Sequence, residues 1–430
     1  MTDFLGFFAY LALPLIGIGV WRFDAVRRLS LDGRLALAGA AGALMVALTM
    51  SLMSIAGVQW SRTRLVIAFA ALACAGAASR RIWIREGRTN WRSPALAGIV
   101  IVLAVTAYAL LTARETCGDL LFFWGPKGVH FFRAGKIDLQ YLADINNFLA
   151  HRDYPPLLPL LYAWSHTVSR SFSWWAAVLF AGVCLTGIVA IVRAGTQSDL
   201  AGLLTAAALA SAFGSAFVAG GADPLLLFFE ATAVGGLLFI EDSRAQWIVT
   251  AIGVAGAALT KVEGASFAAA VLIAVLLLKS RPLVLTAAVL LATVPLAAWL
   301  FVMTRHNLLD GYRGSGPIHL EYFWRVLKAT VRMADYHAYW IPWIAPLIVI
   351  VVGNVRRARL PLTIAALTFV ATIYFYLHGP HDPTSFWIRS SAPRVLLTPL
   401  LMTLMAAGAA LNARSSAPAP ATAPASHRSD

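Results

Sequence analysis

Leu35 to Ala56 reads LALAGAAGALMVALTMSLMSIA and carries no charged side chain. Its reading decides the fold. A helix of about 20 apolar residues rises ~30 Å, the thickness of a bilayer's hydrocarbon core. A surface helix of a soluble domain would instead show a polar face every turn. Further apolar runs lie at 4–21, 64–79, 94–113, 174–193, 200–218, 223–240, 246–259, 264–279, 282–304, 338–353, 359–377 and 394–412. Of the 430 residues, 60% are hydrophobic and 13% charged, more apolar than a soluble core can use. The expected fold is therefore an all-α polytopic membrane protein with about 13 transmembrane helices.

Charge distribution orients the spans. Arg22, Arg27, Arg28 and Arg34 follow the first run, Arg80 to Arg92 the third, and Lys279, Arg281, Arg356, Arg357 and Arg359 fill later short loops. Short loops rich in Lys and Arg stay in the cytoplasm. The net charge of +14 is thereby accounted for, and no loop is long enough to build a basic nucleic-acid surface. Met1 to Phe4 has no basic region ahead of the first run, so that run is expected to be a retained helix. Cys74, Cys117 and Cys184 have neither paired nor metal-binding spacing and read as small apolar residues.

This orientation delivers 114–153 to the extracytoplasmic side, where acids and bases balance. The ambiguous apolar piece 155–169 breaks the alternation of basic loops if it crosses fully, and restores it if it is re-entrant. The expected organisation is N-terminal transmembrane helices over 1–113 and an extracytoplasmic loop with interfacial helices over 114–153. A central transmembrane core at 154–304, a second outer loop at 305–337, C-terminal helices at 338–412 and a disordered cytoplasmic tail at 413–430 complete it.

Polar residues gather in the outer segments. Asp119 opens an apolar-aromatic stretch ending in Trp124, followed by Lys127; Glu115 lies four residues before it. Capping alone is one reading of Asp119 and of Asp223, which begins a span after Gly220-Gly221-Ala222. His151, Asp153 and Tyr154 precede Pro155-Pro156, where prolines mark helix entry. Lys261 and Glu263 stand between two apolar runs with no hydrophilic loop around them, and ionisable groups so placed are functional candidates. Arg389 and Arg394 precede the last run, and a guanidinium fork matches phosphate oxygens. His378, His381 and Asp382 do not form a recognised metal motif; no cofactor is fixed, and a divalent cation is left open.

Asp119, Trp124 and Lys127, then Tyr154-Pro155-Pro156-Leu157-Leu158-Pro159, Gly221-Ala222-Asp223-Pro224, Thr260-Lys261-Val262-Glu263-Gly264 and Arg394-Val395-Leu396-Leu397-Thr398-Pro399 follow one another along the chain. Together they resemble the integral-membrane glycosyltransferases of the C-type fold, in the bacterial branch related to protein O-mannosyltransferases and the lipid A aminoarabinose transferase. The resemblance implies an enzyme of the inner membrane with its active site on the extracytoplasmic face. It would transfer a sugar from a polyprenyl-phosphate donor to a lipid, glycan or protein acceptor with inversion. Asp119 would be the base, with Glu115 as runner-up because relatives often carry an acidic pair that this chain spaces four apart. Asp223 would match the second acidic position, and Lys127, Lys261 and Arg394 would face the phosphate.

Independently, displacing a polyprenyl phosphate needs a base at the acceptor and positive charge at the leaving oxygens. Neither a G-x-G-x-x-G nor a P-loop follows a strand-like run, which favours a lipid-linked donor over a soluble nucleotide sugar. Trp124, His151, Asp153, Tyr154, Glu263 and Arg389 complete the expected substrate contacts, with membrane lipids around them and no nucleic acid. The competing class is a transporter or flippase of lipid-linked or envelope-glycan substrates, although transporters concentrate polar groups at the midplane and show repeats. A nonenzymatic scaffold of an envelope-glycan pathway is a third class, and would tolerate loss of Asp119.

Overall fold

The computed structural model describes residues 2–78, 93–116, 118–144, 146–147, 151–218, 220–279, 282–309, 317–334, 340–378 and 386–411. Among them every regular element is helical. The first half comprises α1 (Thr2–Leu11), α2 (Leu13–Ile16), α3 (Asp24–Arg27), α4 (Leu31–Ile55), α5 (Arg62–Ala77), α6 (Ser93–Thr116), α7 (Gly125–Ala134), α8 (Leu139–Ala143), α9 (Leu157–Ser169) and α10 (Trp174–Thr196). The second half comprises α11 (Asp199–Val218), α12 (Asp223–Phe239), α13 (Ser243–Thr260), α14 (Glu263–Leu278), α15 (Pro282–Ala292), α16 (Val294–Arg305), α17 (Phe323–Ala334), α18 (Ile341–Val352), α19 (Val355–Leu377), α20 (Phe386–Val395) and α21 (Leu397–Leu411). The tail from 412, with His381 and Asp382, lies outside the described residues.

Six stretches are long and apolar enough to cross a membrane: Leu5–Arg22, Leu31–Ile55, Trp174–Thr196, Pro282–Arg305, Val355–Leu377 and Ser391–Leu411. Shorter apolar helices lie at Leu96–Thr112, Asp199–Ser211, Glu263–Leu278 and Ile341–Val352. Large aliphatic side chains such as Leu111, Leu283, Leu291 and Val352 face outward, an arrangement water would penalise and lipid accepts. The protein is a membrane protein. Its helix interiors hide hydroxyls by returning them to the backbone: Thr106, Thr205, Thr232 and Thr372 each donate to the carbonyl four residues earlier at 2.8–2.9 Å. Without water to serve as partner, this keeps each donor satisfied inside its own helix.

The central post is α12, buried without interruption from Asp223 to Leu237 and packed against α10, α13, α21 and α4. A helix apolar on every side has to be enclosed on every side. At one end of the bundle, Arg193 closing α10 bonds Asp32 of α4 at 2.8 Å and Asp199 of α11 at 2.7 Å. Near that end Phe239, last residue of α12, packs against Gly195. At the opposite end, Trp60 donates its backbone N–H to Gly135 at 2.6 Å, and Ile137 donates to Ser54 Oγ at 3.0 Å. This tie fastens the end of α4 to the turn after α7. The first residue of α12, Asp223, lies at the end opposite Phe239 and opens the candidate site.

Candidate functional site

Asp119 immediately precedes a single π-helical turn, Leu120–Trp124, closed by the Gly125 N–H bonding to Leu120 O. A side chain on Gly125 would meet that carbonyl at 2.3 Å, so a bare α-carbon lets the turn form. π turns are rare and recur at functional sites. The Asp119 side chain makes no capping hydrogen bond, and none caps α12 either. Capping therefore explains neither carboxylate. Both turn to the same guanidinium.

Arg394, near the end of α20, contacts Asp119 Oδ2 through Nη2 at 2.5 Å and Asp223 Oδ2 through Nη2 at 2.6 Å and Nε at 2.8 Å. Asp223 also accepts from Lys261 Nζ at 2.9 Å, and Lys261 reaches Glu263 Oε1 at 3.0 Å. Asp119, Arg394, Asp223, Lys261 and Glu263 thus form a row of alternating charge drawn from four distant segments. Three carboxylates face two cations, a formal excess of one negative charge.

Local backbone features set these positions. Gly220 adopts φ +80°, and a side chain there would meet Leu120 at 2.8 Å. Its carbonyl accepts from Tyr162 Oη at 2.6 Å, which fixes the turn presenting Asp223. Lys261 is extended between α13 and α14, and Gly264 lets α14 start where a Cβ would lie 1.9 Å from Ala257 O. The close approach holds Lys261 and Glu263 on the same wall.

Asp119, Arg394, Lys261 and Glu263 of that row line one wall of a cavity of about 390 Å³. Phe123, Trp124, His151 and Tyr154 also line it, and their rings meet edge to face: Trp124–Tyr154 at 5.6 Å, His151–Tyr154 at 5.0 Å and Phe123–His151 at 4.5 Å. Two buried polar atoms among the lining residues lack a partner within the described residues, the donor Trp124 Nε1 and the acceptor Glu263 Oε2. Burial, then the Lys127 charge, holds the His151 imidazole below its ordinary pKa, while Asp153 and Asp119 oppose the shift.

The structure thus gathers Asp119, Trp124, His151, Tyr154, Lys261, Glu263 and Arg394 around one cavity, with Asp223 behind the two cations. Lys127 and Asp153 do not line it. Lys127 is buried, donates to His151 O at 2.9 Å and lies over the Trp124 ring at 5.5 Å, so it organises the aromatic turn. Asp153 is buried behind the turn, its carbonyl accepting from Trp299 Nε1 at 3.2 Å. Glu115 lies on α6 and Arg389 on α20, and the side chains of both are outside the described residues.

A hydroxyl-rich wall escaped the sequence reading: Ser266, Thr368, Thr372, Tyr376, Ser391 and Thr398. Thr368, Thr372 and Tyr376 recur every four residues on α19, a legible polar stripe in an apolar helix. Glu230, wholly buried in α12, accepts from Thr398 Oγ1 at 2.9 Å; a lone acid within an apolar run was its signal. No family model matches the chain, and no curated protein or solved structure is significantly similar to it.

Proposed function

We propose that the protein is a membrane glycosyltransferase that moves a sugar from a polyprenyl-phosphate donor to an extracytoplasmic acceptor, with inversion. One observation carries this reading: a carboxylate, two cations and an aromatic wall share a single cavity at one end of an apolar bundle. Arg394 and Lys261 meet the phosphate, and Asp119 accepts the acceptor's hydroxyl proton. As that oxygen bonds to the anomeric carbon, the bond from the carbon to the phosphate oxygen breaks, and its electron pair leaves with the polyprenyl phosphate. Tyr154, half-buried and packed edge to face against Trp124, offers its ring to the sugar.

The topology that fits this function has about 13 crossings and a re-entrant α9, in a bacterial inner membrane with the cavity outside. What supports the re-entrant α9 is the path of the chain: four residues separate it from α10, whose other end pairs with the start of α4, and the far end of α4 meets the turn after α7. Both ends of α9 then fall on the cavity side.

The test is release of polyprenyl phosphate from polyprenyl-phosphate-linked sugars by the purified chain in proteoliposomes supplied with envelope acceptors. Wild type is expected to release it, and Asp119→Asn to be slower by ~100-fold or more, the scale of a positioned base. Full release by Asp119→Asn would remove the base assignment. Movement of the donor across the bilayer without release would favour a flippase.

A further inference from the structure

Among the described residues, every Lys and Arg at the cavity wall is already paired with a carboxylate. Arg394 holds Asp119 and Asp223, Lys261 holds Asp223 and Glu263, and the row carries a formal excess of one negative charge. A phosphate added to this arrangement would bring further negative charge into a half-enclosed space, where repulsion is poorly screened. It has to take a carboxylate's place. The three carboxylates differ in how firmly they are held.

Asp223 is buried on the enclosed helix α12 and bonds both cations, so removing it strips Arg394 and Lys261 together. Glu263 contacts Lys261 on one side. Asp119 is bonded to Arg394 alone among the cations of the row and its side chain is 28% exposed, against 25% for Glu263, bonded to Lys261 alone, so either could swing into the cavity at little desolvation cost, and the cation left behind decides between them. Arg394 would stay aligned after the loss because Asp223 holds both its Nε and Nη2. A guanidinium anchored on one edge offers its remaining donors to phosphate oxygens.

Resting on the glycosyltransferase reading, we infer that the donor's phosphate displaces Asp119 from Arg394, so that the base is released only when donor is bound. Paired with Arg394, Asp119 has its Oδ2 occupied by the guanidinium. Parted from it, the same oxygen is open to accept the hydrogen bond of an acceptor hydroxyl. The exchange couples donor binding to activation of the acceptor hydroxyl. In the empty site the base is held in its ion pair, and the phosphate that frees it also fills the subsite.

Binding of undecaprenyl phosphate to the full chain in nanodiscs tests the exchange, with inorganic phosphate measured in parallel. Asp119→Asn removes the competing charge and is expected to bind undecaprenyl phosphate roughly tenfold more tightly than wild type, about the worth of a partly exposed charge-assisted pair. Asp119→Ser, a second variant against misfolding, is expected to do the same. Asp144→Asn removes an equal charge from the same outer segment and is expected to change nothing, and Glu263→Gln is expected to tighten binding less than Asp119→Asn. Unchanged or weaker binding by both Asp119 variants, or a larger gain from Glu263→Gln, would overturn the exchange while leaving the donor reading intact. Tightening with inorganic phosphate alone would support the exchange and defeat the lipid-linked donor. If no variant binds either phosphate, both fall.

Discussion

His151 has a left-handed backbone, φ +41°, a region in which histidine is tolerated better than most side chains. Its carbonyl accepts from Lys127 Nζ and from the Tyr154 N–H, both at 2.9 Å, so the strained turn is clamped from two sides. Burial, reinforced by the Lys127 charge, keeps the ring neutral below its ordinary value of 6.5. The unfolded chain therefore binds more protons than the folded one as pH falls past that value. The stability this provides is complete above about pH 6.5 and is lost as pH falls through the lower folded value. Thermal unfolding of wild type is expected to shift down between about pH 7.5 and 5.5 by more than that of His151→Asn, which keeps the left-handed tolerance and removes the titration. Parallel curves would show that His151 does not carry the effect. The sequence marked His151 as a polar residue at a membrane entry. Its role in shaping the turn depends on Lys127, 24 residues away, a contact no local pattern encodes.

Helices were the most legible elements, because hydrophobic length is a local property, whereas their breaks depend on single residues. The apolar run 282–304 is one membrane-crossing stretch, Pro282–Arg305, built of two helices, α15 and α16, separated at Thr293, where Pro295 in the first turn of α16 supplies no backbone N–H. Arg394 was legible as a cation before the last span. Its bond to Asp119, 275 residues earlier, required the α20 and α6–α7 segments to meet in space. The opposite end of the bundle depends on a comparable long-range tie. Arg193 is 8% exposed and joins α10 to Asp32 and Asp199, partners that no local sequence pattern announces. Replacing one member of a buried ion cluster leaves the others uncompensated, at a cost of about 3–5 kcal/mol. Arg193→Met is expected to lower the unfolding midpoint sharply in detergent, and the triple variant with Asp32→Asn and Asp199→Asn to recover part of the loss. An Arg193→Met protein as stable as wild type would show that helix packing alone holds this end.

At the scale of the whole molecule, the charge row and its cavity lie at one end and the Arg193 cluster at the other. Asp32, Arg193 and Asp199 meet at the start of α4, while Trp60, Gly135 and Ile137 meet at its far end, ~37 Å away at 1.5 Å per residue over α4. The α9 helix is ~20 Å long by the same rise, too short for a ~30 Å core, and it packs lengthwise against α7. Its first turn follows Tyr154 at the cavity, and its last leads through Ser171 into α10, which runs to Arg193. A full crossing by α9 would require α10 to start at the Arg193 end. These relations lead to one labelling pattern in a background with Cys74, Cys117 and Cys184 replaced by serine. Asp144→Cys and Ser171→Cys are expected to react with an impermeant maleimide in intact cells, and Glu241→Cys, exposed near the Phe239 end of α12, only after permeabilisation. If Ser171→Cys reacts together with Glu241→Cys, α9 crosses the membrane and every later helix reverses direction. If Asp144→Cys is the one shielded, the cavity faces the cytoplasm and an extracytoplasmic acceptor is out of reach.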